Sequence, residues 1–167
     1  TDTTGLLFTN TYNPGSSEGQ DKGSLSIKKT LENPKNATTG LPENYEIKIT
    51  LTKKDHTAYT DSVSYTSDAA QHDTLTFDAN GIATYHIQAG ETLTLSDLPI
   101  GTTWKVEETE PLNSNNWETT VTSTGGTVTD KVASGKIKDT NQNDTVDITN
   151  TYTPDGGEIV PGGTGSL

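Results

Sequence analysis

Apolar residues in this chain recur at every second position over most of its length. Leu25, Ile27, Lys29 and Leu31 share one face of "SLSIKKTL", and Tyr45, Ile47, Ile49 and Leu51 share one face of "YEIKITLTKK". Side chains of a strand point alternately to opposite faces, so a period of two predicts half-buried β-strands. Weaker runs predict strands near 58–65 and 74–77. "FDANGIATYHIQAGETLTLSDLPIG" is punctuated by Asn80-Gly81 and Ala89-Gly90. Asn-Gly is a strong hairpin signal, because both central residues of a type I′ turn need positive φ. It predicts a hairpin from 74–78 to 82–88, and Ala89-Gly90 then leads into 91–97. "TTWKVEET" alternates Trp104, Val106 and Glu108. "NWETTVTS", a turn at Gly125-Gly126, "TVTDKVASGKIKD" and "DTVDITNTY" complete the set. About nine short strands with frequent turns predict an all-β antiparallel β-sandwich. No stretch carries a helical period of useful length.

The same pattern divides the chain. The folded domain is expected over 24–153. Residues 13–23, "NPGSSEGQDKG", read as a flexible linker, and 154–167, "PDGGEIVPGGTGSL", as an extended Gly/Pro-rich tail. Ahead of the linker, Leu6, Phe8, Asn10 and Tyr12 alternate as Val146, Ile148, Asn150 and Tyr152 do, and "TNTY" occurs in both places. Residues 1–12 therefore read as the last strand of a preceding similar domain, which makes the parent an array of such units.

Composition narrows the chemistry. Hydrophobic residues are 28% and aromatics 6%, a lean supply for a core, but they are patterned rather than scattered. A net charge of −12 argues against nucleic acid and anionic membrane as partners. The absence of cysteine excludes disulfide and thiol chemistry. The sequence shows neither a signal peptide nor an apolar run long enough to span a membrane. His56, His72 and His86 are far apart, and no phosphate loop, nucleophile elbow or zinc spacing occurs, so no metal or cofactor is expected.

Three strands share one irregularity. Lys29 lies in phase with Leu25 and Ile27, Glu108 with Trp104 and Val106, and Asn150 with Val146, Ile148 and Tyr152. Each could be a strand end opening to water. Together they are a reactive set. An amine attacking a carboxamide must be neutral, and burial lowers a lysine pKa by up to roughly 3–5 units. The amide must be polarised and its leaving ammonia given a proton, which a buried glutamic acid can do. Lys29 would be the nucleophile, Asn150 the electrophile and Glu108 the proton shuttle, in a single self-modifying event rather than enzyme turnover. Alternation turns the neighbouring Lys28 and Glu107 outward.

"GSLSIKKTL", "GETLTLSDLPIGTTWKVEETEP" and "VDITNTYTP" resemble the opening, middle and closing strands of a Cna B-type (collagen-adhesin B-like) domain of Gram-positive surface proteins and pilins. The resemblance covers roughly 23–153. It implies a β-sandwich of prealbumin-like, inverse immunoglobulin-like type, in which the first-strand Lys joins the last-strand Asn beside a Glu. The matching positions are Lys29, Asn150 and Glu108. The middle segment departs from the pilin E-box after Thr109, where "EPLNSNNW" follows.

The resemblance further implies an extracellular, cell-wall-anchored stalk or pilin domain of a surface adhesin. Its partners would be neighbouring Cna B-type domains, other pilin subunits, sortase, cell-wall peptidoglycan and host extracellular matrix. Val160, Pro161, Thr164 and Gly165 resemble a sortase sorting signal with one extra glycine. The competing function is a host-ligand or glycan-binding module of the same surface protein, for which Trp117 is the first candidate contact. A Lys29–Asn150 bond would close most of the domain into one loop and give tension a covalent path from first strand to last.

Overall fold

The computed structural model describes residues 21–69, 73–109 and 115–154. The expectations for residues 1–12, for most of the linker and for the tail beyond Pro154, including the sorting signal, lie outside the described residues. Among the described residues there are eleven strands and no helix. They are β1 (Lys22–Glu32), β2 (Tyr45–Thr52), β3 (Ser62–Ser67), β4 (Asp73–Thr76), β5 (Ile82–Ile87), β6 (Thr92–Pro99), β7 (Thr103–Glu108), β8 (Trp117–Thr124), β9 (Gly126–Thr129), β10 (Val132–Lys136) and β11 (Asn143–Tyr152).

Two sheets face each other. One has the order β4-β3-β6-β1-β11-β8, the other β5-β2-β7-β10-β9. The alternation read from the sequence is the alternation of burial. Leu25, Ile27, Leu93, Leu95, Val146 and Ile148 point inward from the first sheet, and Tyr45, Ile47, Ile49, Leu51, Trp104 and Val106 from the second. Burying apolar area contributes about 25 cal/mol per Å², and sandwich cores draw it from both inner faces.

The expected sandwich is the fold observed, with one parallel pair within it. β1 and β11 run in the same direction, Leu25 opposite Asp144 and Leu31 opposite Asn150. The turn after β10 crosses from the second sheet to the first beside the start of β1, where Asn141 N–H donates to Lys22 O and Ser24 N–H to Gln142 O, both at 2.8 Å. From that point β11 can only run alongside β1. Its other edge pairs antiparallel with β8.

The hairpin predicted at Asn80-Gly81 is not one. β4 belongs to the first sheet and β5 to the second, so the turn carries the chain between sheets. Gly81 has φ +76°, but Asn80 does not have positive φ, which a type I′ turn requires. The Asp78 carboxylate takes over the turn, accepting from Asn80 N–H at 2.8 Å and Ile82 N–H at 3.0 Å. Both positive φ values occur instead at Asp130 (52°) and Lys131 (65°), which join β9 to β10.

Candidate functional site

β1 and β11 are neighbours, and their inward positions continue past Ile27 and Ile148 to Lys29 and Asn150. Lys29 pairs with Ile148 and Leu31 with Asn150, so the two polar side chains are diagonal neighbours on one face. Glu108 closes the inward row of β7 on the opposite sheet, level with Ile47 of β2. The sandwich therefore brings three strand ends to one pole of the core. Lys28 is exposed, and Glu107 pairs with Lys48 at 3.4 Å outside the core, as alternation required.

Lys29 and Asn150 are fully buried, and the Glu108 side chain is 5% exposed. Lys29 Nζ lies 3.0 Å from Glu108 Oε1 and donates to Asn150 Oδ1. Asn150 Nδ2 donates to Glu108 Oε2 at 2.7 Å. One carboxylate thus touches both the amine and the amide nitrogen, one oxygen to each. Burial pulls the Lys29 pKa below the ordinary lysine value, opposed by the charge and hydrogen bond of Glu108.

Aromatic side chains cover the group. Lys29 Nζ lies 4.1 Å from the centre of the Tyr45 ring. Tyr45 meets Trp117 edge to face at 6.4 Å, and Trp117 lies over Tyr152 at 4.5 Å. Trp117, expected as a candidate ligand contact, is half-buried in this cover. Tyr45 was legible only as one more apolar position of β2. Its hydroxyl is buried and has no hydrogen-bond partner, and burial followed by the Glu108 charge raises its pKa.

Sequence reasoning missed two further buried acids. Glu91 leads the inward row of Leu93 and Leu95 and is 3% exposed. Its Oε2 accepts from the Ser67 and Tyr85 hydroxyls, both at 2.5 Å, and its Oε1 from Gln88 N–H at 2.8 Å. Burial, then the hydrogen bond to Glu91, raises the Tyr85 pKa. Glu91 also reaches the site through its backbone: its carbonyl accepts from Lys29 N–H at 3.0 Å, while Gly90 N–H donates to Lys29 O at 2.8 Å. Asp144 leads the inward row of β11 and accepts from Trp104 Nε1 at 2.8 Å and Gln142 Nε2 at 2.7 Å. Neither acid has a lysine beside it, so neither belongs to a reactive set.

Residues 23–152 match the family described as Domain of unknown function (DUF7601). A comparison with curated proteins found no match. Among solved structures, the chain is similar to the pilus-presented adhesin Cpa at 23% identity and a TM-score of 0.58, covering 79% of this chain and 28% of that one. It resembles the major pilin T3.2 of Streptococcus pyogenes at 22% identity and a TM-score of 0.59, covering 78% of this chain and 45% of the pilin. A further Streptococcus pyogenes major pilin aligns at 16% identity and a TM-score of 0.60, over 79% of this chain and 48% of the pilin. The chain thus spans less than half of each of these proteins, and what they share with it is the β-sandwich of pilin domains.

Proposed function

The chain belongs to the DUF7601 family, and for this member we propose a structural role: a stalk or pilin domain of a bacterial surface adhesin, stabilised by a spontaneous Lys29–Asn150 isopeptide bond. The observation that carries the reading is the bridging carboxylate, with Glu108 in contact with both Lys29 Nζ and Asn150 Nδ2 in a water-poor core.

The chemistry balances without a co-reactant. Lys29 passes a proton to Glu108 and becomes a neutral amine. The Nζ lone pair attacks Asn150 Cγ, forming an N–C bond and moving an electron pair onto Oδ1. Glu108 accepts the second Nζ proton, delivers one to Nδ2 as the Oδ1 electron pair re-forms the C=O and the Cγ–Nδ2 bond breaks, and gives the other to the departing ammonia. The net change converts a lysine ammonium and a carboxamide into a secondary amide and ammonium. Glu108 ends as it began, and the reaction runs once per chain, which is why the role is structural rather than enzymatic.

The pilin-domain fold supports an extracellular stalk. Cell-wall anchoring, a sortase partner acting at Val160–Gly165 and association with other pilin subunits extend the same reading. Intact-mass spectrometry tests the bond: the folded chain should be lighter than its sequence by one ammonia, about 17 Da. Lys29→Ala and Glu108→Ala should restore the full mass. A wild-type mass equal to the sequence sum would overturn the reading.

A further inference from the structure

The repeated strand ending and the position of β11 lead to one more inference, which rests on the bond reading above. β11 is the last strand of the domain, yet it lies inside the first sheet, between β1 and β8. The slot it fills asks for a specific inward row. Val146, Ile148, Asn150 and Tyr152 are all buried, while Thr145, Asp147, Thr149 and Thr151 between them face outward. Residues 4–12 offer that row again. Leu6, Phe8, Asn10 and Tyr12 stand where Val146, Ile148, Asn150 and Tyr152 stand, and Thr9 to Tyr12 repeat Thr149 to Tyr152 residue for residue. The inward change of type is Thr4 for Asp144, which gives up the carboxylate that holds Trp104 Nε1.

We propose that the β11 slot accepts residues 4–12 of a second copy of this chain, and that Lys29 then bonds to Asn10 of that copy. Nζ attacks Asn10 Cγ, the Cγ–Nδ2 bond breaks, ammonia leaves and Glu108 carries the protons, as for Asn150.

The occupant comes from another copy because the linker is too short for the chain to fill its own slot. Thr151 is level with Glu32, so a seated Tyr12 would lie one position beyond Glu32, while the chain must re-enter at Lys22. That separation is about 36 Å along the strands at ~3.3 Å per residue, plus the ~4.8 Å step between neighbours. Ten peptide steps span at most about 33–36 Å when straight. A second copy has no such constraint. Its own slot stays open to a third, so the contact is head-to-tail and does not close on itself.

Asn150 normally wins, because its strand is tethered at an effective concentration on the order of mM. The irreversible bond then shuts the slot. Exchange belongs to the interval before bonding, and any exchanged strand is trapped covalently.

The test refolds full-length Asn150→Ala from denaturant with a synthetic peptide of residues 1–14 at mM concentration. The expected product has the summed mass of chain and peptide less one ammonia, with the Lys29–Asn10 link identified by tandem mass spectrometry. Without peptide, concentrated Asn150→Ala should give a ladder on denaturing gels that the Asn10→Ala/Asn150→Ala double variant lacks. Wild-type chain refolded with the same peptide should carry the adduct in a smaller fraction, which frees the test from the variant's own folding. The proposal is overturned if a peptide of residues 142–154 is captured and that of 1–14 is not. It is equally overturned if neither is captured while the wild type still loses ammonia, an outcome that leaves the intramolecular bond standing. A wild type of full mass would remove both.

Discussion

Blocking the proposed Lys29–Asn150 bond without leaving a stray charge gives the most informative stability measurement. Lys29→Met/Glu108→Gln keeps the volume of the pair, retains an acceptor for Asn150 Nδ2 and buries no ion. Replacing a buried ion pair by neutral groups of similar size is often close to neutral, so the deficit of this variant is the cross-link itself. Lys29 and Asn150 are 121 positions apart. By analogy with disulfides, tying a loop of that length restricts the unfolded chain by about 5 kcal/mol. A domain of roughly 130 residues unfolds with an entropy near 0.27 kcal/mol/K, which converts the term to about 15–20 °C in Tm. Glu108→Gln alone should fall further, because Lys29 then lacks its counter-ion. Neutralising a lysine at pH 7 costs at most about 5 kcal/mol, which bounds the extra loss. Its sign with pH is fixed. A folded pKa below the unfolded value of 10.5 means that the unfolded chain binds the extra proton, so Glu108→Gln gains stability as pH rises towards 10.5. Scanning calorimetry of the three proteins between pH 7 and 10, with intact mass alongside, reads all of this. A double variant that lacks the bond yet melts within about 5 °C of the wild type would refute the loop argument.

Three other outcomes follow from the same geometry. Because Lys29 passes its first proton to Glu108 rather than to solvent, the rate of ammonia loss during refolding should fall once solvent removes that proton at high pH and leaves no acid form of Glu108 to polarise the amide; a rate that climbs without a break up to about pH 10 would contradict the shuttle. Glu91→Ala strands the Ser67 and Tyr85 hydroxyls and Gln88 N–H, and should cost about 3 kcal/mol in urea unfolding while the full-length chain still loses its ammonia. Gly125→Ala should destabilise by about 2 kcal/mol or more, because Gly125 has φ +91° and an added Cβ would collide with the Asp144 carboxylate; unchanged urea unfolding would mean that this turn yields freely.

Much of the architecture was legible because burial in a sandwich follows a period of two. Val106 faces in and Glu107 out for the same reason that Ile27 faces in and Lys28 out. Sheet membership was not legible at Asn80-Gly81. A turn residue states what its own backbone tolerates, and the Asp78 side chain that decides the turn lies two positions upstream. The direction of β11 was hidden as well, since it depends on where the 137–142 turn delivers the chain. The triad was visible as polar residues in apolar rows, but Glu91 and Asp144 carry that same signature. What separates them is the partner across the core, and pairwise proximity between remote strands is written in no local pattern. Tyr45 was obscured for the opposite reason: an aromatic in an apolar row attracts no attention until a lysine lies against its ring.

The interior place of β11 also sets an order of events. As the chain emerges from its N-terminus, β1 to β10 are complete while β1 still lacks its parallel neighbour and β8 has no partner in the sheet. Lys29 and Glu108 are then already present, facing a gap. The final strand supplies at once the missing ladder on both sides, the lid residue Tyr152 and the carboxamide. A bond found between residues 29 and 150 would therefore be a permanent record that the last strand had arrived in register, written only by chains that finished folding.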